Sequence, residues 1–293
     1  MPLRAFRIAY DGAGYHGFQR QPDVATVEDA LFDGLRELGV LAADADKPAG
    51  YAAAGRTDAG VSALAQTICL EAPEWLTPRA FNAGLPADIR AWAAVDAPPD
   101  FHATHDASER TYSYHLYAPS ASNDHGGDDA TDAGGHTALE RECAVDDGRF
   151  RAACEALSGP HDFHNLTPDD RNTERAPTLE ASRDGDYLVV TVTAGGFARE
   201  LVRRLVSLAR AVGTGTEPLA KIDRALAPEP LPGHEGVAPA PPEPLVLTDV
   251  TYPPLSFDPD PEAAVSAREV FRERRIDRRT GARVVGQIGD GIR

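Results

Sequence analysis

The chain has 293 residues and a strongly acidic balance, 46 Asp plus Glu against 29 Lys plus Arg, for a net charge of −17 at pH 7. That length exceeds one ordinary core, so two domains or one large sheet covered by helices is expected, with a sizeable interior. No stretch is apolar for long enough to span a membrane and the start, MPLRAFRIAYDG, lacks a signal-peptide run, so a soluble cytoplasmic protein is expected.

Residues 3–10 read as a strand, and Thr26 opens a helix that carries Val27, Leu31, Leu35 and Leu38 on one face. A strand is expected from Ala63 to Leu70, a helix start at Thr77-Pro78, and a strand over 88–95. This alternation predicts an α+β domain over residues 1–106. A second, residues 107–255, opens on the strand TYSYHLY beginning after Arg110. The polar, Gly- and Asp-rich segment 120–147 is expected to be a mobile acidic surface insert. A helix follows from Asp147 with Phe150, Cys154 and Leu157 inward, ending at Gly159-Pro160. Strands over 174–182 and 186–194 are joined by Asp184-Gly185, a hairpin signal. Phe197, Leu201, Leu205, Leu208 and Val212 mark a long helix, and Leu219 to Leu226 a short one. Seven prolines from Pro228 to Pro244 predict an extended linker, after which 245–252 returns as a strand. Residues 256–293 form a basic tail, read as an RNA-reaching arm or as a salt-bridged terminal helix.

Only two lysines, Lys47 and Lys221, one methionine and the excess of carboxylates resemble proteins of salt-accumulating archaea. In molar salt the Debye length is about 3 Å, so the negative surface does not exclude a nucleic-acid partner and only groups at contact distance count.

GAGYHG at 12–17 satisfies G-x-G-x-x-G, but it does not open a helix, and Pro22 follows at once. It is read as a tight loop, on which Gln19 and Arg20 are placed to reach a polyanion, and not as a dinucleotide site. AGRTDAGVSALAQ at 54–66 is the sharpest feature. Gly55, Arg56, Thr57 and Gly60 bracket Asp58, and the cation and neighbouring amides favour its ionised form. DAG alone would describe an ordinary surface turn. The tyrosines of TYSYHLY suit either base stacking or a core. Arg199, Arg203 and Arg210 gather opposite the apolar side of the long helix, for phosphate, a carboxylate or solvent. His102, His105, His161 and His164 make two H-x-x-H pairs without the Cys or Glu partners of a metal site, and Cys69, Cys143 and Cys154 form no CxxC. Neither metal nor disulfide is expected.

Together YDGAGYHGFQRQP (10–22), AGRTDAGVSALAQ (54–66), FHATHDASERTYSYHLY (101–117), GGFARELVRRLV (195–206) and PLVLTDVTYP (244–253) resemble the tRNA pseudouridine synthase A family. The resemblance implies an α+β fold of two ferredoxin-like halves sharing a continuous antiparallel sheet, with helices on one face and a central active-site cleft. It implies a cofactor-independent isomerase acting on uridines 38–40 of the tRNA anticodon arm, and a homodimer. It makes Asp58 the nucleophile, Tyr112 the residue packed on the target base, Arg203 the ion-pair partner of Asp58, and Arg56 a nucleotide-holding residue. Asp58 then either attacks C1′ or promotes a glycal. The chain departs from the family pattern at GVSA where GVHG is usual, at Ser207 after the arginine helix, and at DFHNL over 162–166. A non-catalytic RNA-binding protein on the same fold and an acidic protein-binding scaffold are the competing readings, against which the intact Asp58 loop counts.

Overall fold

The computed structural model describes residues 1–119, 144–253 and 255–292. In chain order it contains β1 (Leu3–Tyr10), α1 (Val27–Glu37), β2 (Ala52–Ala53), β3 (Ser62–Glu71), α2 (Pro78–Asn82), β4 (Ile89–Asp96), β5 (Glu109–Tyr117) and α3 (Asp147–Leu157). It continues with β6 (His161–Asp162), β7 (Glu174–Arg175), β8 (Thr178–Asp184), β9 (Tyr187–Ala194), α4 (Leu201–Gly213), α5 (Ala220–Ala225), β10 (Leu245–Thr251) and α6 (Pro261–Gly291). The result is a mixed α+β protein that divides into two compact units, Met1–Ala107 with Tyr252–Arg293, and Ser108–Thr251. The insert and Cys143 fall largely or wholly in 120–143, outside the described residues.

In the first unit β1 lies between β4 and β3, antiparallel to both, and β2 adds to the C-terminal half of β3. Six consecutive β1 residues, Ala5 to Tyr10, are buried, Arg7 among them with its guanidinium donating to the Ala65 carbonyl and the Thr67 hydroxyl, both at 3.1 Å. Helix α1 forms as its spacing predicts: the Thr26 side chain caps it by accepting from the Asp29 N–H, and Val27, Leu31, Phe32 and Leu35 are buried. Leu38 falls at the C-cap and is only half-buried. Two register shifts interrupt β1's pairing, at Ile8/Tyr10 towards β3 and at Arg7/Ile8 towards β4. The Trp92 indole N–H, in the stretch of β4 where the second shift occurs, donates to the Leu64 carbonyl at 2.8 Å. Irregular pairing of this kind bends a strand, and here it lies just beyond the loop that carries Asp58.

The second unit is an antiparallel sheet in the order β10-β5-β9-β8, with α3 packed on α4 and β8. Asp184 pairs with Tyr187 across Gly185, whose φ of +56° suits the turn, so the hairpin forms where the dipeptide predicts. Burial pushes the Cys154 thiol on α3 up to about 12.

Three expectations need correction. The predicted 174–182 strand is split at Ala176-Pro177, because Pro177 has no N–H for a ladder; β7 pairs with β6 and only β8 joins the main sheet. The long helix starts at Leu201 and not at Phe197. Glu200 sits in the left-handed region at φ 60°, and the Arg199 N–H and guanidinium are both taken by the Asp169 carboxylate. The proline-rich stretch is not a free linker. The Asn165 side chain donates to the carbonyls of Ala225, Ala227 and Glu229 and accepts from the Leu231 N–H, and Lys221, buried, pairs with Glu235 at 3.2 Å.

Candidate active site

Asp58 is held by a loop whose shape comes from a second, distant loop. Tyr10, the last residue of β1, is buried and its hydroxyl lies 2.7 Å from the Thr57 hydroxyl. Asp11 then caps a short turn over Gly12–Gly14 by accepting from the Ala13 N–H. From this turn and its continuation, four backbone contacts reach the acid loop. The Gly12 N–H donates to the Ser62 hydroxyl at 3.0 Å. The Gly60 N–H donates to the Tyr15 carbonyl at 3.1 Å, and the Phe18 N–H to the Thr57 carbonyl at 3.0 Å. Gly17, at φ +100°, lies against the Thr57 carbonyl.

Within the acid loop the Val61 N–H donates to the Asp58 carbonyl at 3.1 Å, closing a turn that Gly60 makes possible at φ +81°. Gln66, fully buried on β3, donates its amide to the Gly55 carbonyl at 2.8 Å. Thr57 is buried, Asp58 half-buried and Arg56 exposed. The backbone on both sides of Asp58 is therefore fixed while its side chain retains access, the arrangement a positioned carboxylate needs. The GAGYHG pattern opens no α-helix in this geometry; it is the back support of the acid loop.

The support is itself anchored. Asp11, 7 % exposed, accepts from Arg274 at 2.9 Å and Arg278 at 2.6 Å, and Asp88 accepts from Arg274 at 3.0 Å and from the Tyr15 hydroxyl at 2.9 Å. Burial alone would raise the Asp11 carboxyl, but the Arg278 hydrogen bond, the Ala13 N–H and the charge of both arginines outweigh it and hold the group below its ordinary value. Burial and the Asp88 carboxylate push the Tyr15 phenol well up, so it stays a donor. None of these five residues was singled out by the sequence reading. Asp11 and Tyr15 lie within the quoted 10–22 block, and Arg274 and Arg278 within the tail, where the salt-bridged terminal helix is the reading these pairs match; Asp88 carries no such signal.

A pH dependence follows with a definite sign. Because Asp11 is lowered in the folded state, its contribution is complete above its ordinary value of 3.8 and disappears as pH falls through the lower folded value. The stability gap between wild type and Asp11→Asn, followed by urea unfolding, is expected to be constant above pH 3.8 and to shrink below it. A gap independent of pH would contradict the ion-pair account.

Arg20 does not stand ready for a polyanion as expected. Its guanidinium is taken by Asp29 at 2.9 Å and Asp46 at 3.0 Å, with its backbone N–H on Glu28. It borders a cavity of about 540 Å³ that also meets Gln19, Lys47 and Tyr51.

The other predicted site residues belong to the second unit. Tyr112 on β5 is half-buried and meets Phe197 edge to face, ring centroids 5.3 Å apart at 86°. Opposite it the β10 ladder shifts register between Leu247 and Asp249, and the Thr248 hydroxyl donates to the Thr111 carbonyl at 3.0 Å. Tyr114, on the same face as Tyr112, is core, and burial pushes its phenol up to about 12. Of the three arginines expected to share a helix face, Arg199 lies before the helix, Arg210 is exposed, and Arg203 donates to the Ala240 carbonyl at 2.6 Å. The histidine pairs have local roles: His102 and His105 stack at 4.2 Å, and the His161 ring meets the Ser158 carbonyl. The described residues bring together no group of three or more His, Cys, Asp or Glu able to hold a metal ion, and their helices include none long and apolar enough to cross a membrane.

Comparison with known proteins adds the whole-chain relation. A family model described as tRNA pseudouridine synthase matches residues 153–253. The chain is 58% identical over 290 residues to a tRNA pseudouridine synthase A of Haloarcula marismortui, covering 99% of this chain and 100% of that protein. It is 55% identical to the protein of that name from Natronomonas pharaonis, covering 98% of each. Against that of Methanocella arvoryzae it is 33% identical, covering 87% of this chain and 86% of the other.

Proposed function

The chain belongs to the tRNA pseudouridine synthase A family, and from that premise we propose that it converts uridine to pseudouridine in the tRNA anticodon arm, positions 38–40, with Asp58 as nucleophile. The observation that carries the assignment is the clamped loop: Asp58 is half-buried on a backbone fixed from both sides by Thr57, Gly60 and Val61. A protein that only bound RNA would have no use for a carboxylate so positioned.

The reaction is an isomerisation, so atoms and charge balance without a redox partner or phosphate donor. The target base leaves its stack, the N1–C1′ bond breaks, the ring turns, and a C5–C1′ bond forms. The proton leaves C5 and N1 regains one. Asp58 acts at the ribose, by attack at C1′ or by eliminating to a glycal. Tyr112, carried on β5 beside Phe197, packs on the base and relays the C5 proton. Arg203 is the ion-pair partner of Asp58, and Arg56, exposed beside Asp58, holds the flipped nucleotide. The two-halved ferredoxin-like arrangement with a shared sheet and a central cleft belongs to the same proposal, as does a homodimer. The order β4-β1-β3, with β2 on β3, supports the first half of it.

We further assign the protein to the cytoplasm of a salt-accumulating cell. The net charge of −17 and the identity to the Haloarcula and Natronomonas proteins support this. Tritium release from C5-labelled uridine in an unmodified tRNA transcript is expected in molar potassium chloride. A protein that lost its fold there and worked best in dilute buffer would refute the halophilic part. Bound tRNA with no release would refute the isomerase.

A further inference from the structure

We infer that the outward face of α6 is a docking surface for the sugar–phosphate backbone of the tRNA substrate, an inference that rests on the isomerase reading. Arg268, Arg272, Arg275, Arg279 and Arg283 follow one another at spacings of four, three, four and four residues. At 3.6 residues per turn they fall within about 80° of arc and run along roughly 22 Å of helix. All five are exposed, and among the described residues none makes a hydrogen bond or ion pair. Other exposed arginines divide, with Arg79, Arg151, Arg199 and Arg224 paired with carboxylates and Arg171 and Arg210 without one among the described residues, so what sets α6 apart is five such cations in one row.

The stripe is also held rigidly and turned away from the body of its unit. Arg274 and Arg278, about 100–140° around the helix from the stripe's centre, are pinned to Asp11 and Asp88. Ala263, Ala264 and Ala267 are buried, and the Asp260 N–H donates to the Trp92 carbonyl at the helix start. The helical acids Glu269, Glu273 and Asp277 form their own row beside the stripe and leave it a single sign of charge. Because the cations sit on a formed helix, little backbone freedom is lost on binding.

The chemistry of the row selects its partner. Guanidinium groups bind phosphate through two parallel hydrogen bonds, a contact-distance interaction that persists when salt screens longer-range attraction. A polynucleotide supplies an anion at every residue along its strand, which a row of five evenly placed arginines can follow. The place in the fold agrees. Asp11, the anchor of α6, immediately precedes Gly12, which packs on Val61 of the Asp58 loop, so RNA brought to Asp58 also meets this unit near α6.

The test compares the full-length wild type with the variant Arg268→Gln, Arg272→Gln, Arg275→Gln, Arg279→Gln, Arg283→Gln, in which Arg274 and Arg278 are retained. Affinity for an unmodified tRNA transcript is measured across a potassium chloride series, together with kcat and KM for tritium release and the oligomeric state by sedimentation. Affinity is expected to fall about tenfold or more, and the slope of log affinity against log salt to decrease by about 3.5–4.5, from five lost phosphate contacts. The kinetic loss is expected in KM and not in kcat. A second variant, Arg279→Gln with Arg283→Gln, lies beyond the last anchored residue, and should give about two-fifths of the slope change even if the fivefold variant folds poorly. An active wild type whose variants bind tRNA with unchanged affinity and slope would overturn the assignment. Unchanged RNA binding with lost self-association would give the stripe to a second copy of the chain instead. A wild type that neither binds tRNA nor releases tritium would overturn the isomerase reading and this inference with it.

Discussion

Asp58→Asn is expected to bind tRNA within about threefold of the wild type and to lose tritium release by a factor on the order of 10⁴ or more. The reasoning is geometric. The contacts that shape the loop around residue 58 are made by backbone groups and by neighbours: the Asp58 carbonyl to Val61, Thr57 to Phe18 and Tyr10, Gly60 to Tyr15. An amide of the same shape leaves those contacts in place and removes the negative charge and the attacking oxygen. Binding through the rest of the surface survives; bond-making at the ribose does not. Asp58→Glu sharpens the test, because the carboxylate is kept but moved by about one methylene, and a displacement of that size costs on the order of 10² in rate. Measurable product from Asp58→Asn in single-turnover reactions would remove Asp58 from the mechanism.

The second large effect is expected at a residue with no chemistry. A Cβ added at Gly12 would sit 2.1 Å from the Val61 carbonyl oxygen, 2.4 Å from its carbon and 3.0 Å from the Gly60 carbonyl carbon. All three atoms are backbone, so no side chain can swing aside; the 12–14 turn and the Asp58 loop must separate. Gly12→Ala is therefore expected to destabilise the protein by about 3 kcal/mol, a fall in Tm of roughly 10 °C. It should also lower tritium release below the unfolding range, because the separated loop no longer aims Asp58. Gly14→Ala is the matched control. It lies in the same turn and meets nothing within 4 Å, so it should change Tm and activity little. Equal melting and equal activity for Gly12→Ala and wild type would mean that the two loops do not support one another.

Much of the fold was legible because it is written in local periodicity. Val27, Leu31 and Leu35 at helical spacing gave α1, the capping Thr26 its start, Phe150, Cys154 and Leu157 gave α3, and Asp184-Gly185 the β8–β9 turn. These signals survive in one dimension because each depends on residues within a turn or two of the chain. Errors arose where a local pattern met a longer-range competitor. Phe197 fits the helical stripe of α4, yet Asp169 captures Arg199, and the backbone turns left-handed at Glu200 before the helix can begin. The prolines of 228–244 leave no α-helix or strand there, only a 3-10 turn at Gly233–Glu235, but Asn165, Lys221 and Arg203 hold the segment in place.

The candidate site divides along the same line. The sequence by itself singled out Asp58 as a candidate, because an acid set among Gly55, Arg56, Thr57 and Gly60 is a local arrangement that can be read from neighbouring residues. It also predicted that GAGYHG opens no α-helix, and the next one begins only at Val27. Only the tertiary structure decided what that loop is for. Gly12 and Ser62 are 50 positions apart, and Arg278 and Asp11 are 267 apart. Backbone-to-backbone approach and ion pairing at such separations have no periodicity to read. They come into being only when β1 lies beside β3 and β4, bringing Tyr10, Asp11, Val61 and Asp88 to one end of the sheet where α6 can close on them.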